Sequence, residues 1–112
     1  MTNQACITFE FDDVRAEPHT FTIYKSGTPL LLEPKTFLLL MFLLENRERV
    51  VEKREILDVI WKDTIVTENA LTREIGKLRK SLGDDPKAPK YIQTVHTRGY
   101  RFIAAVEMVT SA

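Results

Sequence analysis

The sequence predicts an α+β fold in which an N-terminal antiparallel sheet precedes three helices and a C-terminal β-hairpin. Three observations carry that expectation. Apolar and polar residues alternate with period two through the first third. Apolar residues then recur at helical spacing from Pro34 to Leu82, and two β-rich runs follow, split by a glycine-containing turn. The two periods distinguish strands from helices because side chains alternate across a strand and advance by ~100° per residue along a helix.

In the first third, Ile7, Phe9 and Phe11 are expected on one face, with Thr8, Glu10 and Asp12 opposite. Phe21 and Ile23 repeat the pattern against Thr20, Thr22 and Tyr24. Lys25-Ser26-Gly27 reads as a turn and Pro29 to Leu32 as a further short strand. Pro34 suits the first residue of a helix, where its missing N–H costs nothing. That helix should run from Pro34 to Asn46 and, with Leu38, Leu39, Phe42 and Leu43 beside the stripe Phe37, Leu40, Met41, Leu44, is apolar nearly all round. Such a helix is usually covered on several sides. A second helix is expected from Lys53 to Trp61 with Ile56, Leu57, Ile60 and Trp61 inward. A third is expected from Glu68 to Leu82, capped by Thr67, with Leu71, Ile75, Leu78 and Leu82 as its buried stripe and Gly83 ending it. Tyr91 to Val95 and Tyr100 to Ile103 complete the hairpin.

A chain of 112 residues is one domain's worth, so 1–112 is read as a single domain. The longest apolar run, Phe37 to Leu44, is too short to cross a bilayer. The start, MTNQACITFEFDD, lacks a basic segment and an apolar core, so no secretory signal is read there, and cytoplasmic residence is expected. The single cysteine, Cys6, excludes an internal disulfide and a cysteine-based zinc cage; a buried, small apolar role suits it. His19 and His96 fall in different strands and no Ser/His/Asp grouping, HExxH or glycine-rich phosphate loop occurs. An enzyme is therefore not expected, nor a metal, cofactor or small-molecule substrate. Asp12-Asp13 and Asp84-Asp85 sit in turns, where paired aspartates are usually structural.

Net charge is zero, but its distribution is not uniform. Residues 1–66 hold 8 basic and 11 acidic side chains, whereas residues 67–103 hold 8 basic and 4 acidic. The positive field thus gathers where the third helix and the hairpin lie, and a local field is what a phosphate backbone meets. Around the third helix, Asn69, Arg73, Gly76, Lys77 and Lys80 fall opposite the buried stripe, with Thr72 and Arg79 on one flank and Glu74 on the other. Arg and Asn can pair with guanine and adenine edges in a major groove, and Thr72 can meet a thymine methyl or a phosphate. Gly76 costs ~1 kcal/mol relative to alanine in mid-helix, and leaves no side chain to hold the helix away from a duplex. Glu74 opposes close phosphate approach on its flank. An ordinary solvated Glu/Lys face would look similar along the helix alone. The hairpin tip, Thr97-Arg98-Gly99 preceded by His96, adds a long, permanent cation suited to a narrow minor groove. Trp61 is read first as core, with its indole N–H able to donate to a phosphate at an edge. Arg54 and the backbone N–H groups opening the second and third helices are further phosphate donors.

These residues resemble the winged helix-turn-helix output domain of OmpR/PhoB-type transcriptional regulators over about residues 7–103. The resemblance rests on Leu32-Glu33-Pro34-Lys35-Thr36-Phe37, on Arg49-Val50-Val51-Glu52-Lys53-Arg54-Glu55-Ile56-Leu57, and on Ile60-Trp61. It continues in Leu78-Arg79-Lys80-Ser81-Leu82-Gly83-Asp84 and in Ile92-Gln93-Thr94-Val95 leading to Gly99-Tyr100-Arg101-Phe102. Asn69-Ala70-Leu71-Thr72 and Leu82-Gly83-Asp84-Asp85-Pro86 are similar to the CadC/ToxR-like branch. The resemblance implies sequence-specific binding of double-stranded DNA, with the third helix in the major groove and the hairpin wing in the adjacent minor groove. Groove-facing positions would be Asn69, Thr72, Arg73, Gly76 and Lys77; Arg79, Thr94 and Trp61 would meet the DNA backbone; Arg98 would be the wing tip. It further implies two copies on tandem half-sites and a contact to RNA polymerase through the loop Lys62 to Val66. A protein–protein module of the same fold, without DNA binding, is the alternative. The chain departs from the family pattern at His96, where Arg is frequent, at Thr97, where Gly is frequent, and at Glu33 and Glu52, cap positions more often Ser or Thr.

Overall fold

A computed structural model describes residues 6–111; the opening residues 1–5, part of the stretch read for a secretory signal, lie outside them. The described residues form two compact units, one containing the chain up to Leu31 together with the segment from Ala104 onward, the other Leu32–Ile103.

The first unit is an antiparallel sheet of five strands. They are β1 (Cys6–Phe11), β2 (Val14–Glu17), β3 (Thr22–Lys25), β4 (Thr28–Leu30) and, from the far end of the chain, a strand at Glu107–Ser111, in the order β4-β3-β2-β1 followed by that last strand. The register aligns Phe9, Ala16, Ile23 and Leu30 in one row across four strands. Two strands in this sheet were not expected. Val14–Glu17 is only four residues long and its Val-Arg-Ala-Glu alternation is too brief to stand out. The Glu107–Ser111 strand lies beyond the expected end of structure at 103 and pairs with β1 from Cys6↔Ser111 to Glu10↔Glu107.

Period-two alternation held at Phe9 and Phe11 and failed at three neighbours. Ile7 is 38% exposed. Thr8, expected on the polar face, is buried at 6% exposure. Phe21 is not a strand residue: Pro18–Thr20 form a 3-10 turn, the Phe21 N–H donates to the Pro18 carbonyl, and Phe21 closes the turn at φ 56°. Cys6 is half-buried rather than enclosed.

The second unit holds the three helices found among the described residues: α1 (Pro34–Glu45), α2 (Lys53–Ile60) and α3 (Glu68–Leu82). The helices pack on one another in all three pairings. Leu39, Leu40, Leu43 and Leu44 of α1, Ile56 of α2, and Leu71, Leu78 and Leu82 of α3 are wholly enclosed. Burying one such side chain stabilises a fold by ~1.5–3 kcal/mol. Leu38 remains 41% exposed, so α1 is covered on most but not all sides. On α2 only Ile56 and Ile60 are buried, and Leu57 and Trp61 are half-buried. In the first turn of α1 the Lys35 ammonium donates to the Ile60 carbonyl at 2.7 Å, tying α1 to the end of α2. Thr67 occupies the N-cap of α3 but its hydroxyl makes no capping bond, and neither does Glu33 or Glu52 at the other two starts. Gly83 ends α3 at φ 74°, as expected.

A second sheet completes this unit: β5 (Val51–Glu52), β6 (Ile92–Val95) and β7 (Gly99–Phe102), ordered β5-β7-β6, and followed in chain order by β8, the Glu107–Ser111 strand of the first sheet. Strands β6 and β7 form the expected hairpin, with Val95 opposite Gly99. Together these elements make a winged helix-turn-helix: α2 and α3 are the helix pair and the β6–β7 hairpin is the wing.

Candidate nucleic-acid interface

Asn69, Thr72, Arg73, Gly76, Lys77 and Lys80 are all exposed and share one side of α3, because Leu71, Ile75, Leu78 and Leu82 are sealed on the other. A Cβ placed on Gly76 would meet nothing within 4 Å. The fold itself therefore imposes no glycine there.

The wing is fixed to the start of α2. Its tip is a turn in which the Arg98 N–H donates to the Val95 carbonyl at 3.0 Å, and the Arg98 carbonyl accepts from the Lys53 N–H at 3.1 Å. The second of these bonds uses one of the α2 amides that sequence reasoning had offered to a phosphate. Gly99 makes the docking possible: a Cβ there would fall 1.9 Å from the Val51 carbonyl oxygen. Thr97 takes φ 61°, a left-handed conformation that favours glycine and strains a β-branched residue. His96, Thr97 and Arg98 are exposed.

Between α3 and the wing runs an open groove of about 650 Å³ lined by Lys53, Thr72, Gly76, Arg79, Lys80 and Thr94, among others. Five of the residues singled out from sequence thus converge with one that was missed, Lys53. Its signal was its place as the first residue of α2, directly after the strand that pairs with the wing. Arg79 is placed otherwise than its outward flank suggested. It is 9% exposed, and Nη2 donates to the Ile92 carbonyl at 2.9 Å and to Thr94 Oγ1 at 2.8 Å. It braces α3 against β6 and sets a permanent positive charge beneath the groove. Glu74, expected to face outward as a repulsive carboxylate, is buried and accepts a hydrogen bond from Thr36 Oγ1 on α1.

Lys77 is exposed but paired. Its Nζ lies 3.0 Å from Glu33 Oε1 and 3.9 Å from Glu74 Oε2. The hydrogen bond to Glu33, and then the charge of Glu74, raise the Lys77 ammonium above the ordinary lysine value. Arg54 and Trp61 line a separate groove with Leu57, Lys62, Ile65 and Val66, where Ile65 is fully exposed. Among the described residues no cluster of three or more His, Cys, Asp or Glu side chains suits a metal ion, and no helix is long and apolar enough to cross a membrane.

The fold and this face define the class: a winged helix-turn-helix domain with a basic third helix and an arginine-tipped wing. The model of the family described as "Transcriptional regulatory protein, C terminal" matches residues 27–102, and the chain belongs to that OmpR/PhoB-type family. It is 40% identical over 90 residues to the transcriptional activator CadC of Escherichia coli, a match covering 80% of this chain and 18% of CadC. It is 37% identical over 89 residues to the transcriptional regulator HilA of Salmonella typhi, covering 80% of this chain and 16% of HilA. The chain thus spans less than a fifth of these two relatives. Among solved structures, the DNA-binding domain of E. coli CadC matches with a TM-score of 0.77 at 34% identity, covering 95% of this chain and 98% of that one. The response regulator DrrB of Thermotoga maritima, an OmpR/PhoB homologue, matches with a TM-score of 0.79 at 33% identity, covering 85% of this chain and 43% of that one.

Proposed function

We propose that this domain binds double-stranded DNA sequence-specifically as the output domain of a bacterial transcriptional regulator. The observation that carries the reading is the single exposed side of α3, bearing Asn69, Thr72, Arg73, Gly76 and Lys80, beside a groove floored by Arg79 and bounded by Lys53 and the wing. In this reading α3 enters the major groove, where Asn69 and Arg73 read base edges and Thr72 and Gly76 allow close approach. Lys80, Lys53 and Thr94 meet phosphates along the groove, and Arg98 reaches into the neighbouring minor groove, with His96 and Thr97 shaping the tip. Arg79 acts from beneath, by its charge and by holding Thr94. The likeness to a solved domain described as the DNA-binding domain of CadC supports the same assignment. No step of this function needs catalysis, and work on DNA places the domain in the cytoplasm.

The groove at Arg54 and Trp61 suits a different contact. Ile65 stands fully exposed at its rim, and Val59 is 47% exposed on the same helix–loop segment. We assign the Lys62 to Val66 loop to a protein partner, RNA polymerase in the family's manner, with Trp61 and Arg54 at the border between that contact and the DNA backbone. Two copies on tandem half-sites complete the reading. The exposed Ile65 is also what favours a protein–protein module as the second reading.

The test is a pair of substitutions. Arg73→Ala should lower affinity at one or two base positions by about 1–3 kcal/mol, relaxing preference there. Lys80→Ala should weaken all duplexes alike and lower the salt slope by about one. Equal behaviour of both variants on cognate and random duplexes would overturn the division between base reading and phosphate contact.

A further inference from the structure

Glu33 occupies the N-cap position of α1, yet its side chain makes no capping bond there. It reaches instead to the DNA-facing side of α3, where Oε1 accepts from the Lys77 ammonium at 3.0 Å. Both partners are substantially exposed, with side-chain exposures of 69% for Glu33 and 47% for Lys77. The second carboxylate near Lys77, that of Glu74, is held in place by the Thr36 hydroxyl and is only 11% exposed. Lys77 is thus held closely by an exposed carboxylate at 3.0 Å and only loosely by a buried one at 3.9 Å.

Non-specific duplex affinity comes almost entirely from cations that displace condensed counterions from phosphates, and each such contact steepens the dependence of log K on log salt by about 0.9. A lysine held by a neighbouring carboxylate must leave that partner before it can displace one. We propose that Glu33 is a positioning residue of the DNA face: it holds Lys77 in an intramolecular ion pair and so removes one cation from those that neutralise phosphates. The inference rests on the proposed duplex binding. A duplex that recruits Lys77 must first separate it from Glu33, so the pair caps the sequence-independent part of the affinity. It does so without touching the base-reading positions Asn69 and Arg73.

The experiment is a salt titration of duplex binding by fluorescence anisotropy, on a random duplex, with the whole domain. Glu33→Gln should steepen the slope by up to about 0.9, so that affinity falls up to about 3.5-fold more than in the wild type between about 50 and 200 mM salt. Glu48→Gln, which removes the same charge from an exposed position after α1, should leave the slope as it was. Adding Lys77→Gln to Glu33→Gln should return the slope to the wild-type value. A slope unchanged by Glu33→Gln would overturn the proposal. So would equal steepening by Glu48→Gln, which would mark a general charge effect, or a double variant as steep as Glu33→Gln alone. Wild-type domain that bound without any salt dependence would instead sink the duplex-binding reading on which the proposal rests.

Discussion

Gly76 stands on the exposed side of α3 with open space where a side chain would project. Gly99 is its opposite, since a Cβ there would collide with the Val51 carbonyl. One glycine is required by the wing's docking; the other is required by nothing within the fold. Replacing a mid-helix glycine by alanine stabilises a helix by ~1 kcal/mol. Gly76→Ala should therefore raise the unfolding free energy by up to about 1 kcal/mol in denaturant melts. The same methyl should weaken binding to a cognate duplex by roughly 1 kcal/mol or more, several-fold in Kd, because it intrudes where the helix meets the groove floor. A stabilised variant with unchanged affinity would mean that α3 does not approach DNA at Gly76. Individual residues were legible from sequence where spacing alone decided their side, as for Asn69, Arg73 and Lys80. Glu74 and Arg79 were not, because each lies on the shoulder of the helix, where a partner distant in sequence decides the direction. Thr36 draws Glu74 inward, and Ile92 and Thr94 draw Arg79.

At the scale of elements, α3 and the wing are joined by polar bonds as well as by packing. Asp84, just past the end of α3, is buried and accepts from three backbone N–H groups leading into β6. These are Lys90 at 2.7 Å, Tyr91 at 3.3 Å and Ile92 at 3.0 Å. The paired turn aspartates read as structural from sequence are thus structural in a specific way: Asp84 fixes where the wing begins relative to the helix. Asp84→Ala would leave those amides without their acceptor, each costing ~1–3 kcal/mol when buried. The expected destabilisation is about 3 kcal/mol or more by chemical denaturation; a loss below about 1 kcal/mol would show that Asp84 does not hold the junction. Helices α1 and α3 and the hairpin were readable because each is long or bounded by Pro, Gly or Asp, and the short α2 because Ile56, Leu57 and Ile60 recur at helical spacing. Strand β2 was not, being four residues with two apolar positions, and β8 was not, because its pairing with β1 is decided by residues about a hundred positions away. Phe21 misled for a related reason: Pro18 opens a 3-10 turn that takes the residue out of the strand its alternation suggested.

For the whole molecule, zero net charge conceals a polar division of labour, with 8 basic against 4 acidic side chains in residues 67–103. Within the helical unit the acids are not idle. Glu33 and Glu74 hold Lys77, and Asp84 holds the wing's first strand. The cations that remain toward solvent on α3, in the groove and at Arg98 are those the proposed function needs. The central claim is that α3 and the wing tip act together on one duplex. It is tested most directly by titrating isotope-labelled domain with a duplex selected from a randomised pool and following backbone amide resonances. The largest shifts are expected at Asn69 to Lys80 and at Thr94 to Arg98 together, saturating at the same duplex concentration. Shifts confined to Arg54 to Val66, or none on α3, would contradict it.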